Sequence, residues 1–268
     1  MQTVAVTNRK GGVGKSSLTT NLAAALALVG KRVLVIDMDS QASATAVFLE
    51  DLPEGSLSTA HVLVGQAELE QIIRPATREG VFIAPAARDL TAAQLSIVAR
   101  TGRETILRRA LRKLDGYDLV LIDTAPEQQL ATVNSLVAAT HVLMPFTPDP
   151  KALEGLHTTC DAVAEIRAAE LCQATILGCV QIAHDKRLGV TEQAREQVKA
   201  AYGEALFETR VRANSSFIVC PAWHRDIFEI ERSERAPRRG SEDYRAVASE
   251  FAQRLGWTKD TEHAQVAS

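Results

Sequence analysis

The chain has 268 residues, 46% hydrophobic and 24% charged, a balance that suits one large α/β domain or two small ones around a sizeable core. A formal net charge of −3 excludes a protein that holds nucleic acid by overall charge, so any such binding needs a local patch. No basic segment followed by an apolar run opens the sequence, and the longest apolar run, Leu22 to Val29, stops at Gly30, which argues against secretion and against a membrane span.

A strand is expected over Thr3 to Thr7, followed by the glycine-rich stretch TNRKGGVGKSSLTTN, Thr7 to Asn21. A helix follows from Ser16 to Val29, closed by Gly30 in a left-handed cap. Val33 to Ile36 reads as a buried strand ending in Asp37, and Leu49 to Arg78 as short helices. Val81 to Ala84 and Leu119 to Ile122 are further buried strands, the second ending in Asp123. Between them Ile106, Leu107, Leu111 and Leu114 share one helical face, and Asp115-Gly116 ends that helix.

Beyond these come a strand over His141 to Phe146, a helix over Ala152 to Arg167 and a strand over Thr175 to Ile182. Two helices follow, Thr191 to Tyr202 and Ser241 to Leu255. This alternation predicts a doubly wound, mostly parallel α/β sheet with helices on both faces. The reading is a single domain over residues 1–258, with 259–268 as a frayed polar tail and no helix-turn-helix module before the first strand. Cys160, Cys172, Cys179 and Cys220 form no Cys-x-x-Cys pair and the histidines no His-x-x-x-His pair, so they read as buried thiols and scattered imidazoles of a reducing cytoplasm.

The chemistry concentrates in the glycine-rich stretch. Between a strand and a helix, Gly11, Gly12, Val13 and Gly14 bring backbone N–H groups close to a phosphate at a helix N-terminus. Lys15 would neutralise β- and γ-phosphates, and Ser16 would ligate Mg²⁺, with Ser17 beside it. The common Gly-x-x-x-x-Gly-Lys-Ser/Thr pattern needs glycine where this chain has Arg9. Lys10-Gly-Gly-Val-Gly-Lys-Ser16 instead resembles the deviant Walker A loop of the ParA/MinD family of P-loop ATPases. That resemblance implies ATP and Mg²⁺ as cofactors. It also implies that Lys10 crosses a dimer interface to the partner's ATP.

Two further segments are similar to the family. In KRVLVIDMDSQASAT, Lys31 to Thr45, the resemblance makes Asp39 the residue that orients the attacking water and puts Asp37 near the Mg²⁺ shell. YDLVLIDTAP, Tyr117 to Pro126, has the Walker B pattern, with Asp123 holding Mg²⁺ through water. The likeness continues through Leu130 to Leu156 and thins after Gly178.

Within the family the ParA/Soj branch fits best. It implies an ATP-bound homodimer that grips DNA without sequence preference and a ParB-like or cargo-adaptor protein that stimulates hydrolysis. The expected setting is the cytoplasm, associated with the nucleoid. Candidate DNA contacts are Arg187, Arg210, Arg212, Arg232, Arg235, Arg238 and Arg239. The segment ERSERAPRRG carries four arginines against Glu231 and Glu234, a local excess of +2.

Asn214 is the expected adenine contact, although Arg212-Ala213-Asn214-Ser215-Ser216 lacks two arginines that the family carries there. Glu127-Gln128-Gln129, after Walker B, departs from the family's small residues. A MinD-like membrane-cycling ATPase is the alternative, disfavoured because the C-terminal helix has little positive charge beyond Arg254 and Lys259; no stable membrane association is expected. A metabolic ATP-dependent ligase or kinase of the same fold is the other alternative.

Overall fold

The computed structural model describes residues 1–126, 129–149, 151–185, 189–233 and 238–257. β1 (Gln2–Val6) runs through the glycine loop into α1 (Lys15–Ala27). β2 (Val33–Met38) is followed by α2 (Ser43–Phe48), α3 (Thr59–Val64) and α4 (Leu69–Ile72). The hairpin β3 (Arg74–Pro75) and β4 (Val81–Ala84) leads to α5 (Leu90–Ser96), and a 3₁₀ turn at Arg103–Thr105 opens α6 (Ile106–Leu111). The remaining elements are β5 (Leu119–Thr124), α7 (Leu130–Ala138), β6 (His141–Phe146), α8 (Ala152–Ala168), β7 (Thr175–His184), α9 (Gly189–Tyr202), β8 (Leu206–Arg212), α10 (Ser216–Trp223), α11 (Ile227–Ser233) and α12 (Arg239–Arg254).

The eight strands form one sheet in the order β3-β4-β2-β5-β1-β6-β7-β8. Every pairing is parallel except the short β3–β4 edge. Side chains of a strand point alternately to its two faces. Val4, Val6, Val33, Val35, Leu119 and Leu121 therefore meet α1 and α12 in one core cluster. Leu34, Ile36, Val120 and Ile122 meet α3, α5 and α6 on the opposite face. Such two-sided burial matches the expected doubly wound fold, and it explains why these strands read as unbroken apolar runs.

Gly30 takes φ 82° after α1, the left-handed backbone expected of it. The apolar side of α12, with Tyr244, Val247 and Phe251, faces the core, and Trp257 packs edge-on against Phe251 at 6.4 Å between ring centroids. No helix among the described residues is long and apolar enough to cross a membrane. β8, α10 and α11 were not foreseen. The strand LFETRVR is an edge strand in which Glu208 is exposed and Thr209 and Arg210 are half-buried, and α10 holds Pro221 inside the helix.

Candidate functional site

The glycine loop leaves β1 at the carboxyl edge of the sheet, where open α/β folds bind ligands. Gly12 and Gly14 adopt φ 72° and 83°, so the chain turns left-handed twice before α1 begins at Lys15. A side chain at Gly14 would also come within 3.0 Å of Ile182. The Lys15 side chain is nearly enclosed, with 7% of the residue exposed, and its ammonium donates to the Lys10 carbonyl at 3.4 Å. Burial pushes its pKa down, against the opposing pull of Asp123 and Asp39. The Ser17 hydroxyl lies 3.3 Å from the Tyr244 hydroxyl, tying the start of α1 to α12.

Register places the carboxylates. Asp37 and Asp123 are direct neighbours across the β2–β5 ladder, and Asp123 is also paired with Val6 at the mouth of the glycine loop. Asp37 is fully buried and accepts hydrogen bonds from the Thr45 amide and hydroxyl, both at 2.8 Å, and from the Asp39 amide at 3.0 Å. Burial still outweighs these bonds and pushes its carboxyl up to about 6. Asp123, equally buried, is pushed well above the ordinary carboxylate range, first by burial and then by Asp37. Asp39 turns the chain after β2, its carboxylate accepting the Gln41 amide at 2.9 Å.

One atom marks this edge as a cation position. Asp123 Oδ2 is buried and has no hydrogen-bond partner, while Oδ1 has the Thr19 hydroxyl at 3.3 Å. A buried polar atom left unsatisfied is costly and calls for an explanation. A hard divalent ion supplies one, and Mg²⁺ is commonly held by one or two carboxylates together with phosphates and water. Ser16, whose side chain also reaches the Asp123 carboxyl, completes the donor set. The residues present therefore fit Mg²⁺.

Lys10 stands at the lip of the loop. Its amide donates to Asn8 Oδ1 at 2.9 Å, and the Asn8 amide nitrogen donates to the Pro145 carbonyl at 2.8 Å. Its ammonium is ion-paired with Asp149, whose carboxyl this pairing and the Thr147 hydroxyl hold below the ordinary range. α8 approaches so closely that a Cβ on Gly155 would lie 2.7 Å from Asn8 Oδ1 and 3.3 Å from Lys10 Cβ. Asp149, Thr19, Thr45 and Tyr244 were missed as site residues, because nothing in their local sequence shows which carboxylate or hydroxyl they meet through space.

Asn214, on the loop after β8, donates to Glu231 Oε1 at 3.1 Å and accepts the Ser216 amide at 2.9 Å. Glu231, counted above in the local charge of the arginine-rich segment, is buried and accepts the Gly240 and Ser241 amides at 2.8 and 2.9 Å, capping the start of α12. The candidate arginines divide. Arg210 is ion-paired with Glu192, and Arg212 donates to Asp243 and to Glu242. Arg232, Arg238 and Arg239 are exposed around the junction of α11 and α12. Arg187 and Arg235 lie outside the described residues, as do Glu127, Gln128 and Glu234.

Known proteins match this arrangement. The family described as AAA domain matches residues 1–175. The chain is 34% identical to the chromosome-partitioning ATPase Soj of Thermus thermophilus over 94% of this chain and 96% of that protein. Among solved structures, cobyrinic acid a,c-diamide synthase of Mycobacterium smegmatis with a bound ATP analogue and magnesium superposes with TM-score 0.75 and 27% identity. It covers 88% of this chain and 97% of that one. A variant of Cyanothece McdA in complex with ATP superposes at 0.83 over 96% of both chains, at 17% identity, a likeness of fold. The glycine loop, the paired carboxylates on one sheet edge and this extent of identity agree, and the chain belongs to the ParA/Soj family of P-loop ATPases, which use ATP and Mg²⁺.

Proposed function

We propose that the protein is a positioning ATPase whose two copies close face to face on Mg·ATP, hold DNA without sequence preference, and reopen on hydrolysis. The observation that carries this reading is the position of Lys10. In this reading buried Lys15 meets the subunit's own phosphates, so a second lysine at the half-buried lip is redundant within one subunit. Lys10 is instead ion-paired with Asp149 within its own subunit, a pairing that in this reading a partner's phosphate replaces.

In this scheme the amides of Gly11 to Ser17 cradle the phosphates and Lys15 balances their charge. Asn214 contacts the adenine. Ser16 and Asp123, with Asp37 behind, would hold Mg²⁺, which would supply charge neutralisation at the phosphate oxygens. Asp39 orients the water for in-line attack, and closure excludes the remaining solvent. Lys10 leaves Asp149 for the partner's triphosphate, so closing exchanges one ion pair for another. Nucleotide state then controls DNA affinity through its different contacts in open and closed forms. A ParB-like or cargo-adaptor protein would accelerate turnover, and the working place would be the nucleoid in the cytoplasm.

The test is the oligomeric state with a non-hydrolysable ATP analogue, read by light scattering. Wild type is expected to dimerise, Lys10→Ala to bind the analogue and remain a monomer, and a Lys10→Ala dimer would refute the cross-subunit role.

A small-molecule ligase or kinase has one observation in its favour. An open cavity of about 780 Å³ beside Asp39 is lined by Ser40, Gln41, Thr45, Arg88, Thr91 and His224. It predicts ATP turnover only with a small substrate and indifference to DNA, whereas the positioning reading predicts basal turnover and DNA binding.

A further inference from the structure

We propose that Glu231 is a positioning residue for base selection, holding the Asn214 side-chain amide in the orientation that pairs with adenine and not with guanine. This rests on the reading of Asn214 as the adenine contact, and it gives that contact its specificity. Glu231 touches no nucleotide in this scheme and acts through Asn214.

A side-chain amide has two ends of nearly the same shape, and its neighbours decide which end is nitrogen. Asn214 has a neighbour of fixed polarity at each end. Its Nδ2 donates to Glu231 Oε1 at 3.1 Å, and a carboxylate only accepts. Its Oδ1 accepts the Ser216 amide at 2.9 Å, and a backbone N–H only donates. Reversing the amide would set nitrogen against N–H and oxygen against carboxylate, losing both bonds. One N–H and one lone pair of Asn214 remain for a ligand. Adenine offers the acceptor N7 beside the donor N6, whereas guanine offers two acceptors, N7 and O6. The fixed donor and acceptor of Asn214 therefore match adenine and would set a carbonyl oxygen against guanine O6.

Capping α12 does not account for the whole arrangement. Helix starts are commonly capped by a short Ser, Thr, Asp or Asn just ahead of the first turn. Here the cap is a glutamate from another helix, 2% exposed, whose Oε1 is shared between the Gly240 amide and Asn214. Gly240 makes that sharing possible. A Cβ there would lie 2.9 Å from Glu231 Oε1, 3.0 Å from Asn214 Nδ2 and 2.7 Å from Ile227. The cluster is also tied to the glycine loop. The Phe217 amide donates to the Asn214 carbonyl at 3.3 Å, and the Phe217 ring packs edge-on against Tyr244 at 5.5 Å between centroids. Tyr244 in turn meets the Ser17 hydroxyl, so a short chain of contacts joins Asn214 to the start of α1.

The experiment compares the affinities of non-hydrolysable ATP and GTP analogues, each with Mg²⁺, by isothermal titration. Wild type, Asn214→Ala, Glu231→Gln and Gly240→Ala are measured, each first checked by thermal melt. Wild type is expected to prefer the adenine analogue ~5- to 150-fold, the worth of one bidentate base contact, and Asn214→Ala to lose that preference. Glu231→Gln presents either N–H or carbonyl to Asn214, and should lower the ratio ~5-fold or more through lost adenine affinity. Gly240→Ala, pressing on the same contact, should lower it as well. If Asn214→Ala loses the preference while Glu231→Gln keeps it, or weakens both analogues alike, Glu231 is a helix cap only and the proposal is overturned. Should Glu231→Gln fail to fold, Gly240→Ala decides by the same criterion. If wild type shows no preference, or Asn214→Ala retains it, the adenine reading is itself wrong and this inference falls with it.

Discussion

Two polar edges of the same sheet handle charge in opposite ways. At the glycine-loop edge Lys15, Asp37 and Asp123 are buried, and Asp123 Oδ2 has no partner. At the β8 edge the charges are more exposed and their bonds close on themselves. Arg212 meets Asp243 and Glu242, and Glu250 accepts the Glu208 and Thr209 amides, the Thr209 hydroxyl and Arg254. A closed network fixes an edge strand to its covering helix. An open one in the core costs stability and is tolerated where a ligand completes it. Incomplete buried valence, more than charge density, separates the reactive edge from the supporting one.

Removing the cation from the open edge should have the largest effect. Lys15→Ala should weaken Mg·ATP binding by ~2–5 kcal/mol, the range for truncating one side of a buried charge pair, measured by isothermal titration. The pH response is next. Asp37 and Asp123 have folded pKa values raised by burial, so the stability linked to their protonation is full below the unfolded value near 4 and lost as pH rises through about 6 for Asp37, with Asp123 acting in the same direction. Metal-free protein should therefore lose on the order of 3 kcal/mol between pH 4 and 8, and Asp123→Asn should flatten that loss in denaturant melts. The same variant should abolish the extra stability that Mg²⁺ confers.

The closed edge should respond differently. Arg212→Ala leaves the largely buried Asp243 without its charged partner and should cost about 1–2 kcal/mol in urea unfolding, with nucleotide affinity unchanged. Arg210→Ala, at a more exposed pair, should cost at most ~1 kcal/mol. Equal effects of the two arginines would blur the contrast between the edges, and a nucleotide defect in either would break it.

Much of the reactive edge was legible because its signals are local. Strand, glycine loop and helix follow one another from Thr3 to Val29, and Asp37 and Asp123 each end an apolar run. The family resemblance extended that reading to cofactors. The supporting edge was not legible, because its meaning lies in contacts between distant segments. Glu208, Thr209 and Arg210 interrupt the apolar pattern of β8 since an edge strand has one wet side. Glu231 looked like one charge in a run and is instead the buried cap of α12.

Gly155 extends the nucleotide loop's requirements to a distant helix. Asn8 and Lys10 rest against an α-carbon that bears no side chain, so α8 serves as one wall of the mould in which the lip of the loop sets. One added methyl group there would collide with the Asn8 side chain that accepts the Lys10 amide and would press on Lys10 itself, leaving Gly11 to Ser17 chemically intact. A defect at the lip of the loop thus originates in a helix far along the chain as readily as in the loop itself, since Gly155 and Asn8 are in contact.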